Sequence, residues 1–295
     1  MSNAGEAYDS PGRRPGSEFS ALRGTKIHFP YYLRLGSLQL HPHIVFESLA
    51  YTIGFLIFRL VRKRSGDALN GPTRWYIIAA AAAGGAIGSK VLYWFEDPMM
   101  TLAHWRDPLF LMAGKTLVGG LLGGIIAVEW TKRQIGVARS TGDLFAIPLC
   151  VGIAIGRVGC FLTGLADNTY GSATQLPWGI DFGDGIRRHP TQLYEIVFVI
   201  ALAFFLERVF RRPHREGDVF KLFMVGYLSW RLATGFLSLD PAFGPLTVIQ
   251  WTCVAGLLYY GRDIRRWCTG VHDPVPNTEA NNPATAYAPI DREPS

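Results

Sequence analysis

The chain is poor in cysteine and in charge. It has four cysteines, Cys150, Cys160, Cys253 and Cys268, and only 18% of its 295 residues are Asp, Glu, Lys or Arg. No two cysteines form a C-x-x-C pair and three lie in apolar runs, so their spacing predicts neither a disulfide framework nor a zinc site. The net charge is +6, yet no basic stripe with interleaved aromatic residues is present. This pattern argues against nucleic acid as a partner.

The chain also lacks an N-terminal leader pattern and an internal repeat. Residues 1–20 contain no apolar segment of the kind found in signal peptides, so we expect no cleavable signal. We expect residues 1–43 to be a polar N-terminal tail followed by an interfacial segment. Residues 269–295, rich in Pro, Asn and acidic residues, are expected to be a disordered tail. The absence of a repeat disfavours transporters built from inverted repeats.

Long apolar runs dominate the rest of the chain, residues 44–268. Hydrophobic residues make up 49% of the sequence, and there are eight Trp and 33 Gly. Runs of roughly 17–24 residues are long enough to cross the hydrocarbon core of a bilayer. The sequence therefore predicts an all-α polytopic membrane protein with seven transmembrane helices, at Ile44–Val61, Trp75–Phe95, Leu109–Trp130, Gly142–Leu165, Thr191–Phe210, Asp218–Leu239 and Leu246–Arg262.

The distribution of Lys and Arg between the loops predicts the orientation. Fourteen basic residues follow the first, third, fifth and seventh spans, and three follow the second, fourth and sixth. Because basic loops stay in the cytoplasm, we expect the N-terminus outside and the C-terminus in the cytoplasm. The loop 166–190 then forms a small outer domain between helices 4 and 5, in which LPWGIDF is a candidate strand.

Two arginines lie inside predicted spans. Arg157 belongs to the stretch GRVGCFLTG at 156–164, and Arg231 lies in the sixth span. Placing an arginine in the hydrocarbon core costs roughly 2.5–3.5 kcal/mol, so such residues normally face a polar interior. A guanidinium matches a phosphate with two parallel hydrogen bonds, which predicts an anion site, most simply for a phospholipid head group. Gly156 and Gly159 allow close approach of a neighbouring helix or of that ligand.

Several other polar side chains lie within or beside the spans. Glu47 and Tyr51, four residues apart, share a helix face, as do Gln192 and Glu195, three residues apart. An ion pair between Glu47 and one of the intramembrane lysines is the alternative to a role in binding. The candidate substrate-binding residues are Arg157, Gly156, Gly159, Gln192, Tyr194, Glu195, Glu47, Tyr51 and Lys115.

Three motifs resemble the prolipoprotein diacylglyceryl transferase family. They are GKTLVGGLLGG at 114–124, GRVGCFLTG at 156–164 and HPTQLYE at 189–195, and the similarity runs over most of residues 30–265. The resemblance implies a seven-span enzyme of the bacterial cytoplasmic membrane, without metal or cofactor. Such an enzyme moves a diacylglyceryl group from phosphatidylglycerol to the lipobox cysteine thiol of a preprolipoprotein. Arg157 and Arg231 match the family's two essential arginines, and Asp143 also has a counterpart.

The chain departs from the family pattern at several positions. Val118 stands in place of a histidine, Cys160 in place of an asparagine, and Glu47 in place of a tyrosine. The other departures are Phe46 for a tryptophan, Gly235 for a glutamate and Ser238 for an arginine. Because a thiol acceptor must lose a proton, another base is needed. His189, beside the outer loop, is our candidate, with Glu47 and Glu195 as rivals.

The predicted catalytic residues are thus Arg157, Arg231 and His189, with no metal ligand. The predicted partners are phosphatidylglycerol or another anionic phospholipid, a lipobox-containing preprolipoprotein, and the membrane. Two alternatives stay open at this point. One is a relative on the same scaffold that uses another lipid or acceptor. The other is a non-catalytic membrane protein that binds anionic lipid or transports a small anion.

Overall fold

The structure, a computed structural model, describes residues 29–65, 71–112 and 114–269, and most of them are helical. The predicted tails before residue 29 and after Thr269 lie outside the described residues. The helices are α1 (Pro42–Ser65), α2 (Gly71–Glu96), α3 (Pro98–Ala103), α4 (Pro108–Met112), α5 (Leu117–Gln134), α6 (Asp143–Thr163), α7 (Thr191–Phe210), α8 (Asp218–Thr234), α9 (Val248–Tyr259) and α10 (Gly261–Thr269). Short 3-10 turns follow α6 at Gly164–Asp167 and α8 at Gly235–Leu237.

The described strands form three small antiparallel hairpins. They pair β1 (Leu33–Leu35) with β2 (Leu38–Leu40), β3 (Ile180–Asp181) with β4 (Arg187–Arg188), and β5 (Ala242–Phe243) with β6 (Leu246–Thr247). The strand expected in LPWGIDF is present but is confined to Ile180–Asp181. The second hairpin gives the loop between α6 and α7 a structure of its own.

Three helices are long and apolar enough to cross a membrane: α1, α2 and the segment Asp143–Asp167 that contains α6. Three other predicted spans, the third, the sixth and the seventh, are helical over fewer residues than expected, and the sixth is α-helical only to Thr234. The third begins at Leu117, because Gly114 has a φ of +61° and the Thr116 side chain caps the helix by accepting from Gly119 N at 3.1 Å. The seventh is helical over Val248–Tyr259, where a capping box of Thr247 and Gln250 sets its start. The fold is therefore helical, with membrane-spanning helices.

Helices α2 and α5 meet through glycines, along what we call the glycine seam: Gly84, Gly88, Gly119 and Gly123. A Cβ added to Gly88 would lie 2.4 Å from the carbonyl oxygen of Gly119, and one added to Gly123 would lie 2.4 Å from that of Gly84. The two backbones thus touch, as in other membrane helix pairs with glycines four residues apart. The order of the contacts shows that α2 and α5 are antiparallel.

Helix α1 runs antiparallel to α6, with Gly54 near Pro148 and Gly159 near His43. Helices α6, α7 and α8 pack against one another, and the buried core that they share contains Leu202, Leu206 and Phe223. Since α6 ends, α7 begins and α8 ends at the same side, polar residues near those three ends are brought together. This end of the bundle also contains the start of α1.

Candidate active site

Glu195, in the second turn of α7, is the centre of a buried polar group. Its Oε2 lies 3.0 Å from Nη2 of Arg157 on α6 and 3.3 Å from Nη1 of Arg231 on α8. The hydroxyl of Tyr227 donates to its Oε1 at 2.7 Å. We call Arg157, Glu195, Tyr227 and Arg231 the central cluster. The two arginines predicted to share a site are therefore brought together, with one carboxylate between them.

The central cluster is nearly closed to its surroundings. The Glu195 side chain is 3% exposed, Arg157 11% and Arg231 23%. Two positive charges against one carboxylate leave a net positive centre, which in a low dielectric attracts an anion. Arg231 also has an unused donor: its Nε is buried and has no hydrogen-bond partner among the described residues. A buried donor without a partner costs about 1–3 kcal/mol, and a phosphate oxygen would satisfy it.

Sequence reasoning missed Tyr227, although a signal for it was available. Tyr227 precedes Arg231 by four residues, so the two side chains lie on one face of α8. Gln192, a predicted binding residue, is buried and donates from Nε2 to Oγ1 of Thr169 at 3.2 Å, while its Oε1 has no partner among the described residues. Gln192 therefore connects α7 to the loop that follows α6.

Glu47 lies in a second, more open polar group at the start of α1. It forms an ion pair with Lys115, and the Tyr51 hydroxyl donates to its Oε1 at 3.3 Å. Nε2 of His43 lies 3.5 Å from its Oε2. The ion-pair alternative for Glu47 is thus realised with Lys115, whereas Lys90 donates to the carbonyl oxygen of Gly114 at 2.6 Å. Glu47, Tyr51 and Lys115, three of the predicted binding residues, are thus adjacent.

His43 also faces Asp167 and Cys160, a juxtaposition that the sequence did not reveal. The His43 Nδ1 lies 3.1 Å from Oδ1 of Asp167, and the potential ligand atoms of all three residues lie within 4.8 Å of one another. They come from α1, from the 3-10 turn and from α6, so no local spacing marks them. Cys160 Sγ lies 4.0 Å from Nη1 of Arg157, which places this group beside the central cluster.

His189 is held at the junction of the outer loop and α7. Its backbone N–H donates to Ser172 O at 3.1 Å, and its Nδ1 lies 3.2 Å from the Tyr194 hydroxyl. That hydroxyl accepts from Nε1 of Trp178 at 2.8 Å, so its single proton is directed to His189. This assignment makes Nδ1 an acceptor and places the ring proton of neutral His189 on Nε2. Tyr194 therefore ties the loop to His189.

A charge pair closes the second hairpin of this loop. Nη1 of Arg188 donates to Oδ1 of Asp184 at 2.7 Å, and this hydrogen bond holds the pKa of the exposed Asp184 carboxyl below its usual range. Arg187 donates instead to the carbonyl oxygens of Leu176 and Pro177, at 3.1 Å and 2.7 Å. The two arginines of the loop thus serve its own structure.

The glycines of GRVGCFLTG play different parts. A Cβ on Gly159 would lie 2.8 Å from Cβ of Phe46, so this residue allows α1 to approach α6 as expected. At Gly156 no described atom lies within 4 Å of the position its Cβ would take, so of the two expected roles only the approach of a ligand stays open. No helix contact among the described residues explains it, and the space beside it adjoins Arg157. Val118, in place of the family histidine, is 1% exposed within the apolar core.

Comparison with known proteins agrees with the motifs. A family model described as prolipoprotein diacylglyceryl transferase matches residues 30–260. The phosphatidylglycerol–prolipoprotein diacylglyceryl transferase of Glaesserella parasuis is 33% identical over 229 residues, which cover 72% of this chain and 81% of that protein. The enzyme so named in Geobacter sulfurreducens is 32% identical over 219 residues, covering 70% and 81%. That of Methylobacillus flagellatus is 30% identical over 260 residues, covering 81% and 90%. This chain belongs to the prolipoprotein diacylglyceryl transferase family.

Proposed function

We propose that the protein transfers a diacylglyceryl group from phosphatidylglycerol to the lipobox cysteine of a prolipoprotein, in the bacterial cytoplasmic membrane. The observation that carries this proposal is the meeting of Arg157 and Arg231 on one buried carboxylate. The names of the relatives favour the same reaction over the two alternatives, another lipid or acceptor and a non-catalytic lipid binder.

We further propose seven spans with the N-terminus outside. The loop charges support this topology, and so does the antiparallel packing of α2 against α5 and of α1 against α6. The central cluster and the polar group around Glu47 then lie near the outer side of the membrane, where an exported acceptor arrives. Cysteine labelling in the loop after Leu165 and in the loop after Arg215 tests the proposal. The two sites should be labelled from opposite sides of the membrane, and labelling of both from one side would contradict it.

In this proposal Arg157 and Arg231 bind the phosphate and stabilise its negative charge. In the proposed reaction a thiolate attacks the glyceryl carbon, the carbon–oxygen bond to phosphate breaks, and glycerol phosphate leaves. Negative charge concentrates on the phosphate as that bond breaks, and pre-positioned donors in a dry site stabilise it most. Glu195 orients both guanidinium groups, and the buried Nε of Arg231 supplies a donor that has no acceptor among the described residues.

The acceptor thiol must also lose its proton, and the three candidate bases differ in their surroundings. Glu195 accepts from Arg157, Arg231 and Tyr227, which leaves it little capacity as a base. Glu47 is paired with Lys115. His189 lies closest to the outer loop, but its Nδ1 accepts from Tyr194. We retain His189 as the sequence-based candidate, to be tested by His189→Gln.

The proposal is tested with purified protein, phosphatidylglycerol and a lipobox peptide. We expect release of glycerol phosphate together with a peptide whose mass has increased by the diacylglyceryl group. A peptide in which Ser replaces the lipobox cysteine is the matched control and should give neither product. Transfer to other acceptors only would support the first alternative, and lipid binding without turnover would support the second.

A further inference from the structure

The side-chain amide of Gln192 has one polar atom that is not used within the described part of the chain. The residue is 1% exposed, and its Oε1 has no hydrogen-bond partner among the described residues. Its Nε2, in contrast, donates to Oγ1 of Thr169 at 3.2 Å. Because a buried polar atom without a partner is unfavourable, an unused acceptor beside a binding site indicates a ligand that donates a hydrogen bond.

The neighbouring hydrogen bonds determine which end of this amide is the oxygen. Oγ1 of Thr169 donates its only proton to Oδ2 of Asp167, at 2.5 Å. The other oxygen of Asp167 is paired with Nδ1 of His43 at 3.1 Å, and a carboxylate in such a pair only accepts. Towards Gln192 the Thr169 hydroxyl is therefore an acceptor, so the amide atom that faces it is Nε2. The atom left without a partner is thus the oxygen.

Gln192 lies about one helical turn from the carboxylate that both arginines share. Gln192 and Glu195 are three residues apart on α7, so they share a face and are separated by roughly 4.5 Å along the helix axis. Arg231, which is bound to Glu195, has the unused donor Nε. A ligand that satisfies both atoms has an anionic oxygen for Arg231 and, a few bonds away, a hydroxyl for Gln192.

We propose that Oε1 of Gln192 accepts a hydrogen bond from the head-group glycerol and thereby selects phosphatidylglycerol among anionic phospholipids. The inference rests on the proposed function for the reaction, but the lipid preference itself is measurable without it. Fatty acids esterify both hydroxyls of the glyceryl group that is transferred, so only the head group offers O–H donors. That glycerol is linked directly to the phosphate. The acceptor thiol fits this position less well, because it attacks the glyceryl carbon from the side opposite the departing phosphate.

The first experiment measures lipid binding by the full-length protein, without reference to transfer. Phosphatidylglycerol is compared with phosphatidylpropanol, which has the same charge and acyl chains but no head-group hydroxyl, by equilibrium binding in detergent micelles. We expect the wild-type protein to bind phosphatidylglycerol about 10- to 100-fold more tightly, since the analogue leaves the buried acceptor unpaired. Equal affinities would overturn the proposal, and this comparison requires no variant.

Gln192→Met then tests whether the preference comes from this residue. Methionine keeps the length of the side chain but has no amide oxygen, so the two lipids should bind with nearly equal affinity. Thr191→Val is the matched control, because it removes another hydrogen bond between α7 and the loop, from its Oγ1 to Thr169 O at 2.6 Å, and leaves the amide in place. It should keep the wild-type preference. A preference retained in Gln192→Met, or lost equally in Thr191→Val, would overturn the role of Oε1.

Transfer to the lipobox peptide, measured with the same two lipids, separates this inference from the proposed function. We expect kcat/KM to show the same preference for phosphatidylglycerol, and Gln192→Met to abolish it. Transfer from both lipids with equal kcat/KM would overturn the selection and leave the function standing. A binding preference without any transfer would support the selection and contradict the function. Weaker peptide binding in Gln192→Met with an unchanged lipid preference would assign the oxygen to the acceptor instead, against the proposal.

Discussion

The glycine seam between α2 and α5 and the central cluster between α6, α7 and α8 join membrane helices in opposite ways. At the seam, side chains are absent and backbone meets backbone, with carbonyl oxygens where a Cβ would lie. At the central cluster, three charged side chains and a tyrosine fill the space between helices. Packing of small residues carries no cost of burying charge, whereas the cluster does.

This difference indicates which contact serves stability and which serves chemistry. Well-packed apolar residues often stabilise a fold as well as a buried ion pair does, so charge is not needed to hold α6, α7 and α8 together. Intramembrane charges of this kind mark functional sites. Substitutions at the seam should therefore change stability and leave the rate per folded molecule intact, while conservative changes at the arginines should do the reverse.

The largest effect is expected for Glu195→Gln, because it removes the charge that both arginines share. Breaking a buried ion pair costs about 3–5 kcal/mol, so the variant should melt at a much lower temperature in detergent and lose transfer activity. Glu207→Gln is the matched control: it lies on the same helix, and its ion pair with Arg211 is exposed. Equal melting of the two variants would show that Glu195 is not needed to hold the arginines.

Arg157→Lys and Arg231→Lys should each lower the transfer rate about 100- to 1,000-fold, since an ammonium keeps the charge but loses the planar pair of donors. Stability should fall much less than in Glu195→Gln. Arg211→Lys, the same exchange at an exposed ion pair with Glu207, is the control and should stay near the wild-type rate. Initial rates of glycerol phosphate release measure the effect. If both arginine variants turn over phosphatidylglycerol normally, the phosphate binds elsewhere.

At the seam, Gly123→Ala should destabilise the protein by about 1–3 kcal/mol, because the new methyl group would lie 2.4 Å from Gly84 O and the backbones must separate. Gly120→Ala is the control on the same helix, where the methyl group would lie 3.5 Å from Gly85 O. Thermal melting in detergent compares them, with rates normalised to folded protein. A lower transfer rate per folded molecule in Gly123→Ala would contradict the conclusion that the seam serves stability alone.

The smallest effect is expected for His189→Gln, at the junction of the outer loop and α7. Because its Nδ1 already accepts from the Tyr194 hydroxyl, losing this imidazole should slow transfer less than about tenfold, below the usual range of base catalysis. Initial rates of transfer at neutral pH measure this effect. Tyr194→Phe, which removes the hydroxyl that donates to Nδ1 of His189, is the companion variant. A loss of a hundredfold or more in His189→Gln alone would restore His189 as the base.

Patterns along the chain predicted the parts of the site that depend on one helix at a time. Arg157 and Arg231 stood out because each interrupts an apolar run, and the pairing of Glu47 with a lysine followed from intramembrane charge alone. The meeting of both arginines on Glu195 could not be read from spacing, since it depends on how α6, α7 and α8 pack. For the same reason His43, Cys160 and Asp167 went unnoticed. Helix α5 begins later than predicted because Gly114 has a positive φ and Thr116 caps the helix. Hydropathy alone did not show this start, since both residues lie within a continuous apolar run.

The glycine seam has a consequence for how this sequence can change over generations. In most helix contacts a larger residue on one side is accommodated when its neighbour becomes smaller. Here the neighbours of Gly88 and Gly123 are Gly119 and Gly84, which have no side chain left to lose. A larger residue at Gly88 or Gly123 therefore cannot be compensated by a smaller residue at the facing position. Among relatives, the positions of Gly88 and Gly123 should remain small independently of each other, with no correlated exchange between α2 and α5.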